Sequence, residues 1–285
     1  MRAGKGPAPA RWCYNFQWRG AVDSAPPQAA QVSKDIGPIL EGWPHEPRQI
    51  SVRRIRGPDG RMKIQLRLDL GLLQMEARGR PDGQRPYGCE SVLAYLEKQL
   101  KRHRDDHGSE DGFGIDEKQC ELLRAEGIQY YYRYLSEFVL EEYEAVARDT
   151  DRNLRVLDFC AKYAIEEPDR YIMEQYRPYV LMMNTRAEAH MALRDKRPRA
   201  ARDTVLAALE KLREYFSRFG QEELYDDSSE VVALKALLKD VQAKIPEDPV
   251  HKLKRQLAKA IEEERYEDAA RLRDAILRTV GEGRQ

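Results

Sequence analysis

The sequence predicts a mainly α-helical protein with a small antiparallel β-meander near its start and a helical hairpin at its C-terminus. Apolar residues alternate with period two between residues 50 and 80 and recur at helical spacing over residues 90–245. Two short helical stripes, separated by a turn, follow from residue 248 onward. We therefore expect a poorly ordered segment (1–46), a β-meander (47–86), a helical array or irregular bundle (87–245) and the hairpin (246–285).

Composition excludes some classes of protein and partner. Charged residues make up 34% of the 285 residues and the net charge is zero, so no global charge attracts nucleic acid or a membrane. No apolar run has the length of a membrane helix, and the N-terminus lacks the hydrophobic stretch of a signal peptide. We expect a cytoplasmic protein without a membrane partner. The four cysteines never form Cys-x-x-Cys, which disfavours a zinc ribbon or a redox pair.

The segment 1–46 is rich in proline, alanine and glycine, which is typical of poor order. An aromatic cluster at residues 12–18 interrupts it, and we expect this cluster to dock on the chain's own body rather than on a partner. The β-meander follows, with strands predicted at 49–56, 62–70 and 73–77. The second strand carries the clearest alternation, through Met62, Ile64, Leu66, Leu68 and Leu70. Three strands alone are only marginally stable, so a helix should cover the apolar face.

The helical region contains six predicted helices. They cover residues 90–107, 116–147, 153–164, 171–193, 198–219 and 227–245. Asp116 should cap the longest helix, whose apolar stripe through Tyr131, Leu135 and Phe138 should be interior, while Asp227 and Glu230 should cap the last. The shorter helices begin near 151 and 198, a spacing of 198 − 151 = 47. This weakly resembles a tetratricopeptide-type array, although that family repeats every ~34 residues and its glycine and proline marks are missing.

The C-terminal hairpin shows the sharpest pattern. Asp248 suits the N-cap and Pro249 the first helical position of a helix. The first apolar stripe consists of Val250, Leu253, Leu257, Ala260 and Ile261, and the second of Ala269, Leu272, Ile276 and Val280. A helical hairpin this short does not bury both stripes by itself. We therefore expect it to bind a partner surface, with a terminal hairpin docked on its own domain as the alternative.

This pattern resembles the UVR motif of the UvrB and UvrC excision-repair proteins, which also occurs in Clp-type unfoldases and activators of arginine kinases. Tyr266 stands where the family usually has Phe, and Leu257 where it often has Met. The resemblance implies pairing with another UVR hairpin, in a second copy or another protein of repair or protein quality control. The implied partner-binding residues are Leu253, Leu257, Ala260, Ile261, Tyr266, Ala269, Ala270, Leu272, Arg273, Asp274 and Ile276.

The sequence contains no motif of an enzyme. A Gly-x-x-x-x-Gly-Lys-Ser/Thr phosphate loop and a Gly-x-Ser-x-Gly elbow are both missing, so helicase or hydrolase activity is not implied. A catalytic site dispersed along the sequence stays open. We predict an adaptor without enzymatic activity and without a catalytic, cofactor or metal site.

Charge is unevenly distributed along the chain. Residues 50–85 hold nine basic and four acidic residues (9 − 4 = +5), whereas residues 109–150 hold eleven acidic and four basic ones (4 − 11 = −7). The alternative function is therefore a nucleic-acid-binding repair accessory, in which the basic sheet contacts phosphates. Without interleaved aromatic residues such binding should be weak, and the sheet is more easily explained by neutralisation within its own chain. The candidate phosphate contacts are Arg53, Arg54, Arg56, Arg61 and Lys63.

Overall fold

The computed structural model describes residues 35–246 and 249–282, and the prediction made for the aromatic cluster at residues 12–18 lies outside the described residues. The chain divides into two compact units, Met1–Gly42 and Trp43–Gln285. In the first unit, the described part contains one short helix, α1 (Gly37–Leu40). All further elements named below belong to the second unit.

The predicted β-meander is present as three antiparallel strands in sequential order. Their bounds are β1 (Val52–Arg56), β2 (Met62–Leu68) and β3 (Gly71–Glu76). Ile64 pairs with Met75 across β2 and β3, and both are buried together with Leu66 on one face of the sheet. Tyr132 and Leu140 pack against this apolar face. The helical region therefore covers the sheet, as the sequence predicted.

Helices form most of the remaining chain. Their bounds are α2 (Val92–His107), α3 (Glu117–Val139), α4 (Tyr143–Tyr163), α5 (Glu167–Ile172), α6 (Arg177–Arg194), α7 (Pro198–Arg218), α8 (Ser229–Ala243), α9 (Pro249–Glu262) and α10 (Tyr266–Glu282). Asp116 caps α3 in a reciprocal capping box with Gln119, which confirms the predicted cap. Ser228, not Asp227, caps α8. Within residues 35–246 and 249–282, none of the helices is both long and apolar enough to cross a membrane.

The single helix predicted over residues 116–147 is wrong, because the chain turns between Val139 and Tyr143. Glu141 adopts a left-handed conformation (φ 58°), and the backbone N–H of Glu142 donates to the carbonyl of Glu137 at 2.9 Å. Such a turn closes a helix C-terminus. Glycine and proline, the usual signals of a helix end, are absent here, and the apolar residues keep their helical spacing across the turn. No local signal therefore marked the end of the helix.

The helices of the body form successive pairs. Tight turns connect α3 to α4 and α6 to α7, while α4 packs against α6, and α8 packs against both α6 and α7. Because α4 begins at Tyr143, the second helices of the two pairs start 198 − 143 = 55 residues apart, not 47. A spacing of 55 residues differs more from the ~34-residue period of a tetratricopeptide repeat than the predicted spacing of 47 does. The likeness to that family stays a prediction.

The face of α3 that points to the core is not the one expected from its apolar stripe. Tyr131, Leu135 and Phe138 are only half-buried, so the prediction that this stripe is interior is wrong. Tyr130 and Tyr134 are buried instead, with 5% and 1% of their surface exposed. The reason is that α3 also buries charged residues, which rotate the helix away from its most apolar side.

Arg133 is the centre of this buried polar face. It forms two hydrogen bonds with the carboxylate of Asp149 in α4, at 2.6 and 2.9 Å. The same guanidinium donates to the backbone carbonyls of Glu76 and Gly79, at 3.0 and 2.7 Å. These carbonyls lie at the end of β3 and just beyond it, so the hydrogen bonds of Arg133 connect the sheet to the α3–α4 pair.

Glu126 has a comparable role toward α2. Its carboxylate accepts a hydrogen bond from the backbone N–H of Val92 at 2.8 Å, at the N-terminus of α2, where a negative charge is favoured. It also pairs with Arg152 of α4. One carboxylate with 0% exposure thus joins three helices of the body.

Candidate functional site: the C-terminal helical hairpin

A tight turn joins α9 and α10. Glu264 adopts a left-handed conformation (φ 57°) just after α9. The backbone N–H of Arg265 donates to the carbonyl of Ala260 at 2.8 Å, and the backbone N–H of Glu264 donates to the carbonyl of Ile261 at 3.1 Å. These two bonds are the Schellman arrangement, which satisfies the last carbonyls of a helix and reverses the chain. The two helices therefore lie side by side.

Small residues allow the two helices to approach closely. Ala260 and Ala269 are buried, with 0% and 8% exposed surface, and lie on the two facing helices. The predicted seam residues Leu253, Leu257, Leu272 and Ile276 are half-buried around them. A contact of this size covers only part of each apolar stripe, because in the described residues each of the two helices packs extensively along the other alone.

Three large apolar side chains of the hairpin are left in solvent. They are Ile261, Tyr266 and Leu277, with 52%, 68% and 66% exposed surface, and we call them the apolar surface. Ile261, which belongs to the first apolar stripe of the sequence, is thus not packed between the two helices. Tyr266 and Leu277 are eleven residues apart, about three helical turns, and thus share one side of α10. Leu277 was missed in the sequence, although its spacing from Tyr266 was a signal.

A basic groove runs along a different side of the hairpin. Its walls carry four basic side chains and one acidic one. They are formed by Arg255, Gln256, Lys259, Arg265, Asp268, Arg271 and Leu272. On α9, Lys259 and Ile261 are two positions apart, which is about 200° around the helix axis. The hairpin therefore separates an apolar surface from a charged one.

Ion pairs surround the rest of the hairpin. At the turn, the guanidinium of Arg265 contacts the carboxylates of Glu263 and Asp268, at 2.7 and 2.8 Å, and these hydrogen bonds raise its pKa. Arg273 and Asp274, two of the partner-binding residues that the resemblance implies, pair with each other at 3.0 Å and are exposed. Exposed pairs of this kind contribute little to stability and more to the choice of partner.

In the described residues, the hairpin does not pack extensively against the helical body. In the described part of the chain, α9 and α10 pack along each other, and neither packs along another helix or strand. The alternative of a hairpin docked on its own domain would require such packing. The apolar surface is therefore open to a partner.

The five candidate phosphate contacts of the sheet have partners within the chain. Arg54 pairs with Glu142 at the start of α4 at 2.6 Å, and Lys63 pairs with Glu76 and Asp59. The other three bind the sheet and its turns. Arg53 donates to Gln65 at 2.7 Å, Arg56 to the carbonyl of Gly60 at 3.0 Å, and Arg61 pairs with Asp59 at 3.1 Å. Contact of these residues with phosphate stays a prediction.

Within the described ranges, no group of three or more His, Cys, Asp or Glu side chains is arranged to hold a metal ion. The described polar clusters of the body are ion pairs between arginine and carboxylate, and they join helices to one another. The hairpin is therefore the part of the described chain with the clearest open surface.

Comparison with known proteins identifies a family motif in the hairpin. Residues 247–278 match the model of the UVR family, described as the UvrB/uvrC motif, and this range covers α9 and most of α10. Neither the curated proteins nor the solved structures contain a match to the chain. The motif is one through which UvrB and UvrC interact, which supports a role in protein–protein interaction.

Proposed function

Because the C-terminal hairpin carries a UVR motif, we propose that this protein is a non-enzymatic adaptor that binds a second helical hairpin through the apolar surface. The partner is a second copy of this chain or another protein with a UVR motif. The observation that carries the proposal is the exposure of Ile261, Tyr266 and Leu277 on a hairpin that is already folded. A second hairpin is the natural cover for such a surface, because pairing completes a four-helix arrangement.

The size of the apolar surface bears on the affinity. Burying a side chain of the size of Leu or Phe contributes about 1.5–3 kcal/mol relative to leaving it in water. The apolar surface consists of three side chains, far fewer than the ~20–30 residues that each partner contributes to a stable interface, so we expect a transient contact. We expect a Kd in the micromolar range, which suits an adaptor that exchanges partners.

The resemblance of the motif supports two pathways for the partner, excision repair and Clp- or arginine-kinase-based quality control, in the cytoplasm. The nucleic-acid alternative gains no support from the sheet, since its five candidate side chains are engaged within the chain. We therefore retain the adaptor as the proposed function.

The experiment replaces two residues of the apolar surface with Asp, as Ile261→Asp with Leu277→Asp. Both side chains are exposed, so the hairpin should still fold, whereas the half-buried Leu257 would disturb the seam itself. We expect association to weaken by more than about tenfold, because charges would enter a desolvated contact. Analytical ultracentrifugation measures self-association, and pull-down with a UVR hairpin from a UvrB-type protein measures capture.

The matched control is Gln256→Asp, which places a new negative charge on an exposed residue of the basic groove. It should leave association within about twofold, since surface substitutions outside a contact have small effects. Equal binding by the double variant and the unchanged protein would contradict the proposal. So would equal loss in the control.

A further inference from the structure

One arginine of the helical body differs from the others. Arg133 and Arg177 are typical, because each makes a two-pronged contact with a buried carboxylate, that of Asp149 or Glu174. Arg186 of α6 is also half-buried, yet among the described residues it makes no ion pair. Its Nη1 donates only to the thioether sulfurs of its helix neighbours, Met182 at 3.9 Å and Met183 at 3.7 Å. Thioether sulfur is a weak acceptor, so this cation lacks a counter-ion.

Aromatic side chains surround Arg186. Four contacts connect α6 with α3 and the start of α4, and we call their six residues the aromatic row. Tyr131 contacts Tyr179 at 6.0 Å, and Tyr143 stacks on His190 at 4.6 Å. Phe138 contacts the guanidinium of Arg186 at 4.3 Å and the ring of His190 at 6.1 Å. All six are half-buried, and the rings of Tyr131, Phe138, Tyr143 and Tyr179 pack against the core of the body, so the row lies at the border between core and solvent.

Helical spacing explains why the row is continuous. Tyr131 and Phe138 are seven residues apart on α3, and Tyr179 and Arg186 are seven apart on α6, which is about two turns in both cases. In the described chain, α3 and α6 do not pack along each other, because α4 contacts both. Long side chains therefore bridge the space between the two helices. The half-buried stripe of α3 is one side of this row.

The electrostatic surroundings of the row are positive at Arg186. Burial lowers the pKa of Arg186. Burial also acts to lower the pKa of Arg177, but the hydrogen bonds and negative charges of Glu174 and Asp158 together raise it. The pKa of His190 is lowered first by burial and then by the charges of Arg186 and Lys244, with Glu141 acting in the opposite direction. A half-buried cation next to neutral rings and a second cation favours an anionic ligand.

We propose that the aromatic row binds a carboxylate carried next to an apolar side chain, as in a peptide segment of a partner protein that carries a single acidic residue, with Arg186 as the counter-ion. The guanidinium is a fork of donors that matches a carboxylate, and its ring contact with Phe138 holds it in place. The rings on either side cover the apolar neighbour of the carboxylate. This site is separate from the hairpin and independent of the proposed function.

A protein ligand fits better than a nucleic acid, although aromatic rings also stack on bases. A nucleic-acid strand requires a series of cations along its phosphates. The row offers one uncompensated arginine, and residues 109–150, which supply three of its rings, carry a net charge of −7. A single carboxylate is matched by one arginine, whereas a polyanion is repelled by this region.

The test uses the full chain with phenylpropionate, a carboxylate next to a phenyl ring, and its uncharged amide as the matched probe. Binding is followed by NMR through the side-chain Nε–Hε signal of Arg186, assigned by its loss in Arg186→Gln. We expect the carboxylate to shift this signal with a Kd of about 1–10 mM, which is usual for a ligand of this size. The amide should bind at least about tenfold more weakly, because it forms no charge-assisted hydrogen bond.

Matched variants separate binding from folding. Binding to the variants is followed through the aromatic signals of Phe138 and Tyr143. Arg186→Gln should weaken binding by at least about tenfold, while Arg194→Gln, on the same helix but paired with Glu144, should not change it. Arg186→Lys should bind with intermediate strength, which also tests the site if the Gln variant unfolds.

The proposal would be overturned if phenylpropionate at its highest soluble concentration did not shift the Arg186 signal, or if the carboxylate and the amide bound with equal affinity. It would also be overturned if folded Arg186→Gln bound phenylpropionate as well as the unchanged protein does. A short oligothymidylate that displaces phenylpropionate from the row would show that the ligand is a nucleic acid and would also overturn it.

Discussion

The α3–α4 pair and the α9–α10 pair are both antiparallel helical hairpins, yet they distribute charge in opposite ways. The α3–α4 pair buries charged side chains, among them Arg133 and Asp149 at 1% exposure, and buries its aromatic stripe only in part. The α9–α10 pair keeps its charges outside and exposes large apolar residues such as Leu277. Two hairpins of similar sequence character thus differ in which class of residue they bury.

The number of neighbouring elements explains this difference. α3 contacts α2, α4 and β2, so a buried arginine finds a carboxylate and backbone carbonyls from several elements. Within the described residues, α9 packs extensively along α10 alone, so ion pairs form in solvent and the apolar stripe is half covered. Stability therefore resides in the body, and an open contact surface resides in the hairpin.

The largest effect is expected for Arg133→Met, which removes the centre of the polar face of α3. Asp149 would lose two hydrogen bonds inside the core, and the carbonyls of Glu76 and Gly79 would lose a donor. We expect the free energy of unfolding to fall by about 3–5 kcal/mol, measured by urea denaturation. Arg273→Met, which breaks an exposed pair in the hairpin, should change it by less than about 1 kcal/mol. Similar losses in both variants would remove the distinction between the two hairpins.

The next effect compares two leucines. Leu212 in α7 has 0% exposed surface, whereas Leu277 in the hairpin has 66%. Leu212→Ala should lower the free energy of unfolding by about 2–5 kcal/mol, because it opens a cavity. Leu277→Ala should change it by less than about 0.5 kcal/mol. Thermal unfolding of both variants measures the difference, and a large loss for Leu277→Ala would show that the hairpin is packed against the body.

A smaller effect should follow pH. Burial, and then the charge of Asp149, raises the pKa of Glu137 from 4.5 to about 8. Between an unfolded carboxyl pKa of about 4.3 and this value, the folded protein holds a proton that the unfolded chain releases, so stability falls as pH rises. The loss is complete above the folded pKa. Glu137→Gln should remove this part of the slope in unfolding experiments between about pH 5 and 9. An unchanged slope would mean that Glu137 is ionised in the fold.

The smallest effect is expected for removal of the hairpin. A chain that ends at Ile245 should keep the thermal transition of the body, because α9 and α10 pack along each other and not along the body. Calorimetry of the full-length and the shortened chain measures the difference between their transition temperatures. A transition lowered by more than about 4 °C would correspond to a lost contact of about 1 kcal/mol between hairpin and body.

Local patterns predicted much of this architecture. The strand β2 and the cap at Asp116 were both confirmed, since each depends on residues close in sequence. The ends of the predicted alternation were wrong, because Met62 is 37% exposed and Leu70, beyond the strand, is 90% exposed. The end of α3 was not found, because Glu141 adopts the left-handed conformation without being glycine. Nothing in its neighbours marks that turn, and only the packing of α3 on α4 selects it.

The hairpin was predictable for the same reason. Its seam, its small residues and its turn lie within about thirty residues, so their spacing contains the contact information. The exposed position of Ile261 was not predictable. A stripe shows which side of a helix is apolar, but the distance to the neighbouring helix decides which of its residues are covered.

The sequence by itself therefore determined the sheet, most of the helices and the C-terminal motif, because periodicity and capping are properties of short segments, but it did not separate α3 from α4 or predict α5. The tertiary structure decided which face of α3 points inward and which charges have counter-ions. Arg133 meets Asp149, and Arg186 meets aromatic rings, although both arginines lie in helical sequence of similar character. An ion pair depends on two residues from different helices reaching each other in space, and that distance is set by the packing of all the elements together.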